Sequence, residues 1–183
     1  VLTADKLNTE LGNVINLTGT LTLPNSTPAT NLPVRVEGKN SSSDWHQLYT
    51  TTTGPDGLVK LSGKFGENTS LRIATDGTPG LFSSQSPQID IKVSRAISWS
   101  APASIKHDVP YVIKGQVQPK SANTNVKLLI NGAVSATAIT DVDGRFTIPL
   151  NYGKLGFINV KLLIDSDNRF SNSNSTTTQI LVR

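Results

Sequence analysis

Apolar and polar residues alternate along many short segments of this chain. In Ile15–Leu23 every second residue is apolar or glycine, and Val109–Val117 repeats the scheme. A period of two residues is typical of a β-strand that buries one face. The second segment is therefore predicted to place one set of side chains on a common face: Val109, Tyr111, Ile113, Gly115 and Val117.

Further short segments have the same character, and none favours a helix of ten or more residues. Turn sequences separate them, and Asn131-Gly132 is predicted to form a two-residue hairpin turn in which both residues have positive φ. The other predicted strands are Leu32–Glu37, Trp45–Thr53, Leu58–Leu61, Ser70–Thr75, Ile89–Val93, Asn125–Ile130, Ala133–Thr140, Arg145–Leu150, Asn159–Ile164 and Thr177–Val182.

The pattern occurs twice along the chain. Gly19 matches Gly115, and the layout before each glycine matches back to Val1 and Ile97. Such an internal repeat predicts two modules, residues 1–94 and 95–183, with the boundary near 94–96. Five further matches follow in the same order: 34–36 with 126–128, 55–59 with 142–146, 71–73 with 160–162, 81–83 with 169–171, and 91–93 with 180–182.

A family resemblance rests on the segments 97–102, 109–115, 126–131 and 140–146. They resemble the bacterial immunoglobulin-like modules of surface proteins and large secreted enzymes. The resemblance implies an all-β fold, with two tandem immunoglobulin-like β-sandwiches of about seven strands each. The first module departs from the pattern at Pro55 and in the longer loop 24–31.

The same resemblance implies a role rather than a reaction. It predicts non-catalytic structural or adhesive spacer modules within a longer multi-domain chain, located outside the cell or at its surface. Two alternatives stay open: an accessory module that binds carbohydrate or a cell-wall polymer, and the non-catalytic region of a secreted hydrolase. The expected partners are surface glycans or other surface proteins.

The amino-acid composition excludes several kinds of chemical site. The chain has no Cys, which excludes disulfides, thiolate metal sites and cysteine nucleophiles. For an exported module, the missing disulfides favour a bacterial surface. No run approaches the roughly 18–20 apolar residues of a membrane helix, so direct membrane insertion is not expected.

Candidate catalytic groups are few. Only His46 and His107 could serve as the base of a nucleophilic triad, and neither lies in a nucleophile motif. The acidic residues gather at turns rather than in the facing pairs that glycoside hydrolysis requires. We therefore predict no enzyme activity and no cofactor within this chain.

Two acidic turns are the candidate calcium ligands. Asp141 and Asp143 begin like a calcium loop, and Asp165 and Asp167 could contribute if the two turns meet. However, Arg145 and Phe146 stand where further oxygen ligands would be needed. The competing interpretation is that Asp143-Gly144 forms a hairpin turn, as Asp56-Gly57 does in the first module.

Aromatic residues are the candidate sugar-binding groups. Trp45 and Tyr49 are four residues apart, so the strand period predicts that both project from one face. They could form a binding platform or simply cover the sheet. Trp99 shares its predicted strand face with Ile97, which favours a place against the core.

Charge distinguishes the two modules. The first has 7 Lys and Arg against 8 Asp and Glu, and the second has 10 against 5, so the net charges are −1 and +5. Lys114, Lys127 and Lys161 take outward strand positions that could attract anionic polymers or simply face solvent. No basic run with interleaved aromatics occurs, so nucleic acid is not an expected partner.

Overall fold

The computed structural model describes all 183 residues, which form strands and turns but no helix. No segment is therefore a helix long and apolar enough to cross a membrane. The chain divides into two compact units, unit 1 (Val1–Val93) and unit 2 (Ser94–Arg183). This division lies one residue before the division at 94/95 that the sequence repeat predicts.

Unit 1 is built from two sheets. A three-stranded sheet has the order β1-β3-β6, and the larger sheet has the order β2-β9-β7-β4-β5, with β8 also paired to β7. The strands are β1 (Leu2–Ala4), β2 (Asn8–Glu10), β3 (Ile15–Thr20), β4 (Pro33–Asn40), β5 (Ser43–Thr52), β6 (Leu58–Gly63), β7 (Thr69–Thr75), β8 (Ser84–Gln85) and β9 (Ile89–Ser94).

Unit 2 repeats this arrangement. Its small sheet has the order β10-β12-β15, and its large sheet the order β11-β18-β16-β13-β14, with β17 paired to β16. Strands β11 and β18 run parallel, whereas β10–β12, β12–β15, β13–β14, β13–β16, β16–β17 and β16–β18 are antiparallel pairs. The strands are β10 (Ala96–Trp99), β11 (Ser104–Ile105), β12 (Tyr111–Gln118), β13 (Asn125–Ile130), β14 (Ala133–Ile139), β15 (Arg145–Leu150), β16 (Gly156–Ile164), β17 (Ser173–Asn174) and β18 (Thr178–Val182).

Each unit buries its apolar side chains between its two sheets. In unit 2, Ile113 and Ile148 of the small sheet join Leu128 and Leu162 of the large sheet in one cluster, and all four are fully buried. Burial of this apolar area is the main force that holds the two sheets together. The alternation in the sequence therefore identifies the inner face of each sheet, and the predicted all-β class is confirmed.

The predicted strands are confirmed, with changes at their ends. β3 ends at Thr20, before the predicted end at Leu23, and the N–H of Leu21 donates to the carbonyl of Gly57. Val109 and Tyr111, expected on the buried face of β12, are 51% and 37% exposed at the end of the sandwich. The predicted strand that contains Ile97 and Trp99 corresponds to β10, whereas the sequence pattern did not reveal the other short strands: β1, β2, β8, β11 and β17.

Strand registers support the repeat and correct two of its matches. Leu2 pairs with Gly19 and Trp99 pairs with Gly115, so Val1 corresponds to Ser98 and not to Ile97. Ser84 pairs with Thr75 as Ser173 pairs with Ile164, which makes Leu81 the counterpart of Phe170. In both cases the earlier match is wrong by one residue.

Some turns form hairpins within one sheet, and others connect the two sheets of a unit. Asn131 and Gly132 have φ of 50° and 87°, as predicted for the hairpin between β13 and β14. Asp143-Gly144 is a turn but not a hairpin, because β14 belongs to the large sheet and β15 to the small one. Asp56-Gly57 likewise joins β5 to β6 across the two sheets, so the predicted hairpins are wrong at both places.

Candidate functional site

A row of charged side chains crosses the outer face of the large sheet of unit 1. Along β4, Val34 and Val36 are buried in the core, so Arg35, Glu37 and Lys39 project from the opposite face. Arg72 of β7 pairs directly with Glu37 and shares this face. The alternation of β4 therefore places a carboxylate among three cationic groups.

Glu37 is the centre of this row. Its carboxylate accepts hydrogen bonds from the Nε of Arg35 at 2.5 Å and from the Nε of Arg72 at 2.7 Å. Arg35 also pairs with Asp76. The hydrogen bond from Arg35, with that from Arg72, outweighs the effect of burial and lowers the pKa of Glu37. Glu37 is only 8% exposed, so its side chain has a fixed position. Its lowered pKa keeps the carboxylate ionised at neutral pH.

Trp45 of β5 completes the site. The Arg72 guanidinium lies 4.2 Å from the centroid of the indole ring, and the Lys39 ammonium lies 5.2 Å from it. Both distances fit cation–π contacts. The ring is half-buried and held by cations on its own sheet face, so it offers less free ring surface for stacking on a sugar than an unpaired tryptophan would.

A β-bulge in β5 separates Trp45 from Tyr49. Val36 pairs with Tyr49 and Glu37 pairs with Gln47, so Leu48 is an extra residue between them. One extra residue reverses the alternation of faces. Tyr49 therefore lies on the side of Val36 while Trp45 lies on the side of Glu37, and the predicted common face is wrong. Unit 2 has a register shift at the same place in the β13–β14 hairpin, where Ser135 is the extra residue.

The three candidate lysines of unit 2 do not form one surface. Lys127 pairs with Leu163 and Lys161 pairs with Leu129, which places both lysines on the outer face of the large sheet. Lys114 lies on β12 in the small sheet, on the other side of the sandwich. Lys127 also donates to the Asp165 carboxylate at 2.5 Å, so part of the predicted basic surface is neutralised.

The four candidate calcium ligands have other partners. Asp141 accepts from the backbone N–H groups of Asp143 and Arg145, and Asp143 pairs with Lys120 and Arg145. Asp165 pairs with Lys127, and Asp167 with Arg95. No group of three or more His, Asp or Glu side chains is arranged to hold a metal ion. The two acidic turns therefore act as separate turn and ion-pair elements.

Arg95 and Phe170 form a second cluster that the sequence did not indicate. The Arg95 guanidinium lies 4.1 Å from the ring centroid of Phe170 and donates through Nη2 to Asp167 at 2.6 Å. Burial raises the pKa of Asp167, but Arg95 and the backbone N–H groups of Phe170 and Arg169 outweigh it, so the pKa is lowered overall. Arg95 is 7% exposed, and its Nε and Nη1 have no hydrogen-bond partner.

The remaining candidate residues lie apart. His46 is exposed, with its Nδ1 3.0 Å from the carbonyl of Asp44, and the exposed His107 lies 3.0 Å from the Asp108 carboxylate. Trp99 is partly buried against the unit 2 core, as predicted.

The strand order decides the fold type. In each unit a three-stranded sheet faces a larger sheet, and the first strand is split so that its second part lies beside the last strand. About 90 residues in two such sheets match the immunoglobulin architecture. Both units are immunoglobulin-like β-sandwiches.

Comparisons with known proteins give structural neighbours of low sequence identity. No family model matches the chain, and no curated protein matches it. Among solved structures, the D0-D1 domain of intimin has 13% identity and a TM-score of 0.39, covering 100% of this chain and 98% of that one. Invasin, a bacterial integrin-binding protein, has 16% identity and a TM-score of 0.44, covering 100% of this chain and 39% of that chain. The ICAM-5 D1-D4 ectodomain fragment has 12% identity and a TM-score of 0.47, covering 100% of this chain and 53% of that chain.

Sequence reasoning found Trp45 but missed the charged row beside it. The signal was present in 33–39, where Arg35, Glu37 and Lys39 alternate with Val34, Val36 and Gly38. Three charged residues in one strand phase indicate a charged sheet face. What the sequence could not show was that Arg72, 35 residues away from Glu37 along the chain, completes the site.

Acid is expected to destabilise unit 1 through Glu37. The folded-state pKa of Glu37 is lowered, so its stabilising contribution is present above its unfolded pKa of about 4.3 and is lost as pH falls through the lower folded value. Thermal unfolding of unit 1, followed from pH 7 to pH 2, should show this loss. Asp5 has a lowered pKa as well, so Glu37→Gln should reduce the acid dependence without abolishing it. An unchanged profile in the Glu37→Gln protein would contradict this role.

Proposed function

We propose that this chain is a pair of non-catalytic extracellular modules that serve a structural and adhesive role in a surface or secreted bacterial protein. The observation that carries the proposal is the parallel pairing of β11 with β18. Because β11, the second part of the split first strand, runs in the same direction as the last strand β18, the chain enters and leaves unit 2 at opposite ends. Such a unit can be placed in series with others and can transmit tension along its length.

The pairing geometry also suits mechanical load. In unit 2, Ser104 pairs with Leu181 and Ile105 with Val182, and the N–H groups of Leu181 and Arg183 donate to the carbonyls of Ala103 and Ile105. Tension between the two ends of the unit would shear these hydrogen bonds together rather than open them one at a time.

Force spectroscopy on the full chain tests the proposal. Pulling from the two termini should give two separate unfolding events, each with a length gain of about 25–30 nm, since about 90 residues extend by roughly 3.5 Å each. Pro substitution at Leu181 removes the N–H that donates to Ala103 and should lower the force of one event only. A single cooperative event, or unfolding of both units without measurable resistance, would refute a load-bearing role.

A second candidate function is recognition of a partner protein through the charged row and Trp45. Trp and Arg are the residues that most often dominate binding at protein interfaces, and Trp45 is already held in place by Arg72 and Lys39. Its rigid position reduces the entropy cost of binding. This surface is a better candidate for a charged protein partner than for a sugar, because cations already contact the ring.

Trp45→Ala is expected to weaken such binding by about tenfold or more, with little change in the folding of unit 1. The measurement is adhesion of the purified chain to a panel of surface proteins and to a glycan array. Tyr49→Ala is the matched control, because Tyr49 is 54% exposed on the same strand but lies on the other face. Equal losses in the two variants would argue against the face of Trp45 as the site, and glycan binding lost only in Trp45→Ala would favour the carbohydrate alternative.

A further inference from the structure

The outer face of the large sheet of unit 2 differs from the matching face of unit 1 at its centre. In unit 1, Glu37 pairs across the sheet with Arg72, and in unit 2 Leu129 pairs with Lys161. These are matched positions, because Glu37 and Leu129 each follow a matched segment of the repeat, and the two cations are the middle residues of another. The central carboxylate of unit 1 is therefore replaced by an aliphatic side chain in unit 2.

This replacement leaves Lys161 without an anion inside the protein. In unit 1, Arg72 donates to the Glu37 carboxylate at 2.7 Å. In unit 2, Lys127 pairs with the Asp165 carboxylate, which lies at the margin of the face. Lys161 forms neither a side-chain hydrogen bond nor an ion pair. The outer face of unit 2 therefore presents one cation whose charge is not compensated.

Apolar side chains surround this cation. Leu129 lies between Lys161 on one side and Val134 of the edge strand β14 on the other, and Leu163 follows two residues after Lys161 on the same face. Directly opposed residues in an antiparallel sheet have Cβ atoms about 5 Å apart, so these side chains are in contact range. Leu129 and Leu163 are half-buried, and Val134 is 56% exposed. We call Leu129, Val134, Lys161 and Leu163 the Leu–Lys patch.

The composition of the Leu–Lys patch restricts what can cover it. Covering the aliphatic side chains is favourable, but the same contact removes the ammonium of Lys161 from water. Burial of an unpaired charge is costly, so a stable complex needs an anion at that point. The complementary surface is therefore apolar with a negative charge among its apolar groups.

We propose that the Leu–Lys patch binds an acidic segment of a partner protein, in which one carboxylate faces Lys161 and the neighbouring apolar side chains cover Leu129 and Leu163. The partner's carboxylate takes the place that Glu37 occupies in unit 1. The net charge of +5 on unit 2 steers an acidic segment towards this module. The patch is a second adhesive surface, separate from the Trp45 site, so either surface can fail its test without the other.

A protein segment fits the Leu–Lys patch better than an anionic polymer or a membrane does. Attraction to an anionic membrane or polymer grows with the number of free cations on one surface. Lys127 is already paired with Asp165, and Lys114 lies on the other sheet, which leaves Lys161 as the free cation among the three candidate lysines. A polypeptide supplies aliphatic side chains on both sides of a single carboxylate, as the patch requires.

The test uses the full chain and a synthetic peptide, acetyl-Leu-Thr-Glu-Thr-Leu-amide. When extended, this peptide places both Leu side chains and the Glu on one face. Backbone amide resonances are recorded by NMR during titration, and saturable shifts are expected at the residues of the Leu–Lys patch. Replacing the peptide Glu with Gln should weaken binding about threefold to fivefold, the upper range for a partly exposed ion pair. Replacing both peptide Leu residues with Ser should weaken it at least as much.

Two variants of the protein locate the site. Lys161→Met keeps an apolar side chain and should weaken binding of the Glu peptide about threefold to fivefold. Lys114→Met is the matched control, because it removes the same charge from an exposed lysine on the small sheet, and it should change the affinity by less than about 1.5-fold.

A third variant restores the arrangement of unit 1. Leu129→Glu places a carboxylate beside Lys161, as Glu37 lies beside Arg72. This internal anion should abolish saturable binding of the Glu peptide, while the thermal midpoint of unit 2 confirms that the variant is folded. Trp45→Ala should leave binding of this peptide unchanged, which separates the Leu–Lys patch from the site in unit 1.

Four results would overturn the proposal. The first is the absence of saturable shifts at millimolar peptide, and the second is equal affinity for the Glu and Gln peptides. The third is an equal loss of binding in Lys161→Met and Lys114→Met. The fourth is binding to vesicles of equal parts phosphatidylcholine and phosphatidylglycerol without binding to the peptide, which would assign the patch to a membrane surface.

Discussion

Replacing Gly144 with alanine is expected to cost unit 2 about 3 kcal/mol and to lower its thermal midpoint by roughly 10–20 °C. Two causes add at this position. Gly144 has φ of 74°, where an L side chain is strained by about 1–2 kcal/mol. In addition, an added Cβ would lie 2.5 Å from the carbonyl oxygen of Val117, and backbone atoms have little freedom to move away.

Gly132 is the control that separates these two causes. It has φ of 87° but no atom within 4 Å of an added Cβ. Gly132→Ala should therefore cost only about 1 kcal/mol, from backbone strain alone. Calorimetry of the full chain gives both values, and the transition of unit 1 should not shift in either variant. Equal costs at Gly144 and Gly132 would show that the contact with Val117 is relieved by movement of the turn.

Asp167→Asn is expected to destabilise unit 2 more than Arg95→Met does, although each removes one partner of the same ion pair. Asn removes the charge that compensates a guanidinium that is 7% exposed and already lacks partners at Nε and Nη1. Leaving a charge uncompensated in a buried place costs about 3–5 kcal/mol when both partners are buried. The Asp167 side chain is 43% exposed, so a cost of about 2 kcal/mol is expected.

Arg95→Met removes the buried charge and keeps a long side chain over Phe170, while Asp167 keeps its backbone donors at Arg169 and Phe170. The change in stability should stay within about 1 kcal/mol. Urea unfolding of the full chain, with the two transitions fitted separately, measures both variants. A larger loss in Arg95→Met than in Asp167→Asn would mean that the cation–π contact with Phe170, rather than the charge balance, holds this segment.

The sequence predicted the fold well because the strands are marked by a local alternation of apolar and polar residues. Each strand that is buried on one face has apolar residues at every second position, and this period can be recognised without information about the neighbouring strands. The strands that escaped prediction, such as β11 with two residues, are too short to show a period. Their pairing with β18 is set by the tertiary fold, which brings Ser104 beside Leu181.

The candidate sites were predicted less well, and the reason is visible at Trp45. Residues an even number of positions apart, such as Trp45 and Tyr49, lie on one face only if the strand is regular. The extra residue Leu48 makes this strand irregular. The bulge depends on how β5 meets β4, a partner that the sequence of β5 does not specify. Similarly, Lys114 and Lys127 both take outward positions, but the sheet to which each strand belongs separates them.

By itself, the sequence determined that this protein is all-β, that it contains two copies of one sandwich, and which side chains occupy most of the two cores. These properties follow from residue periodicity and from turn residues, which act over a few positions. Only the tertiary structure decided which charged groups meet Trp45 and that Arg95 is buried beside Phe170. Those features join residues far apart in the chain, and their contacts depend on strand register and on which sheet each strand joins.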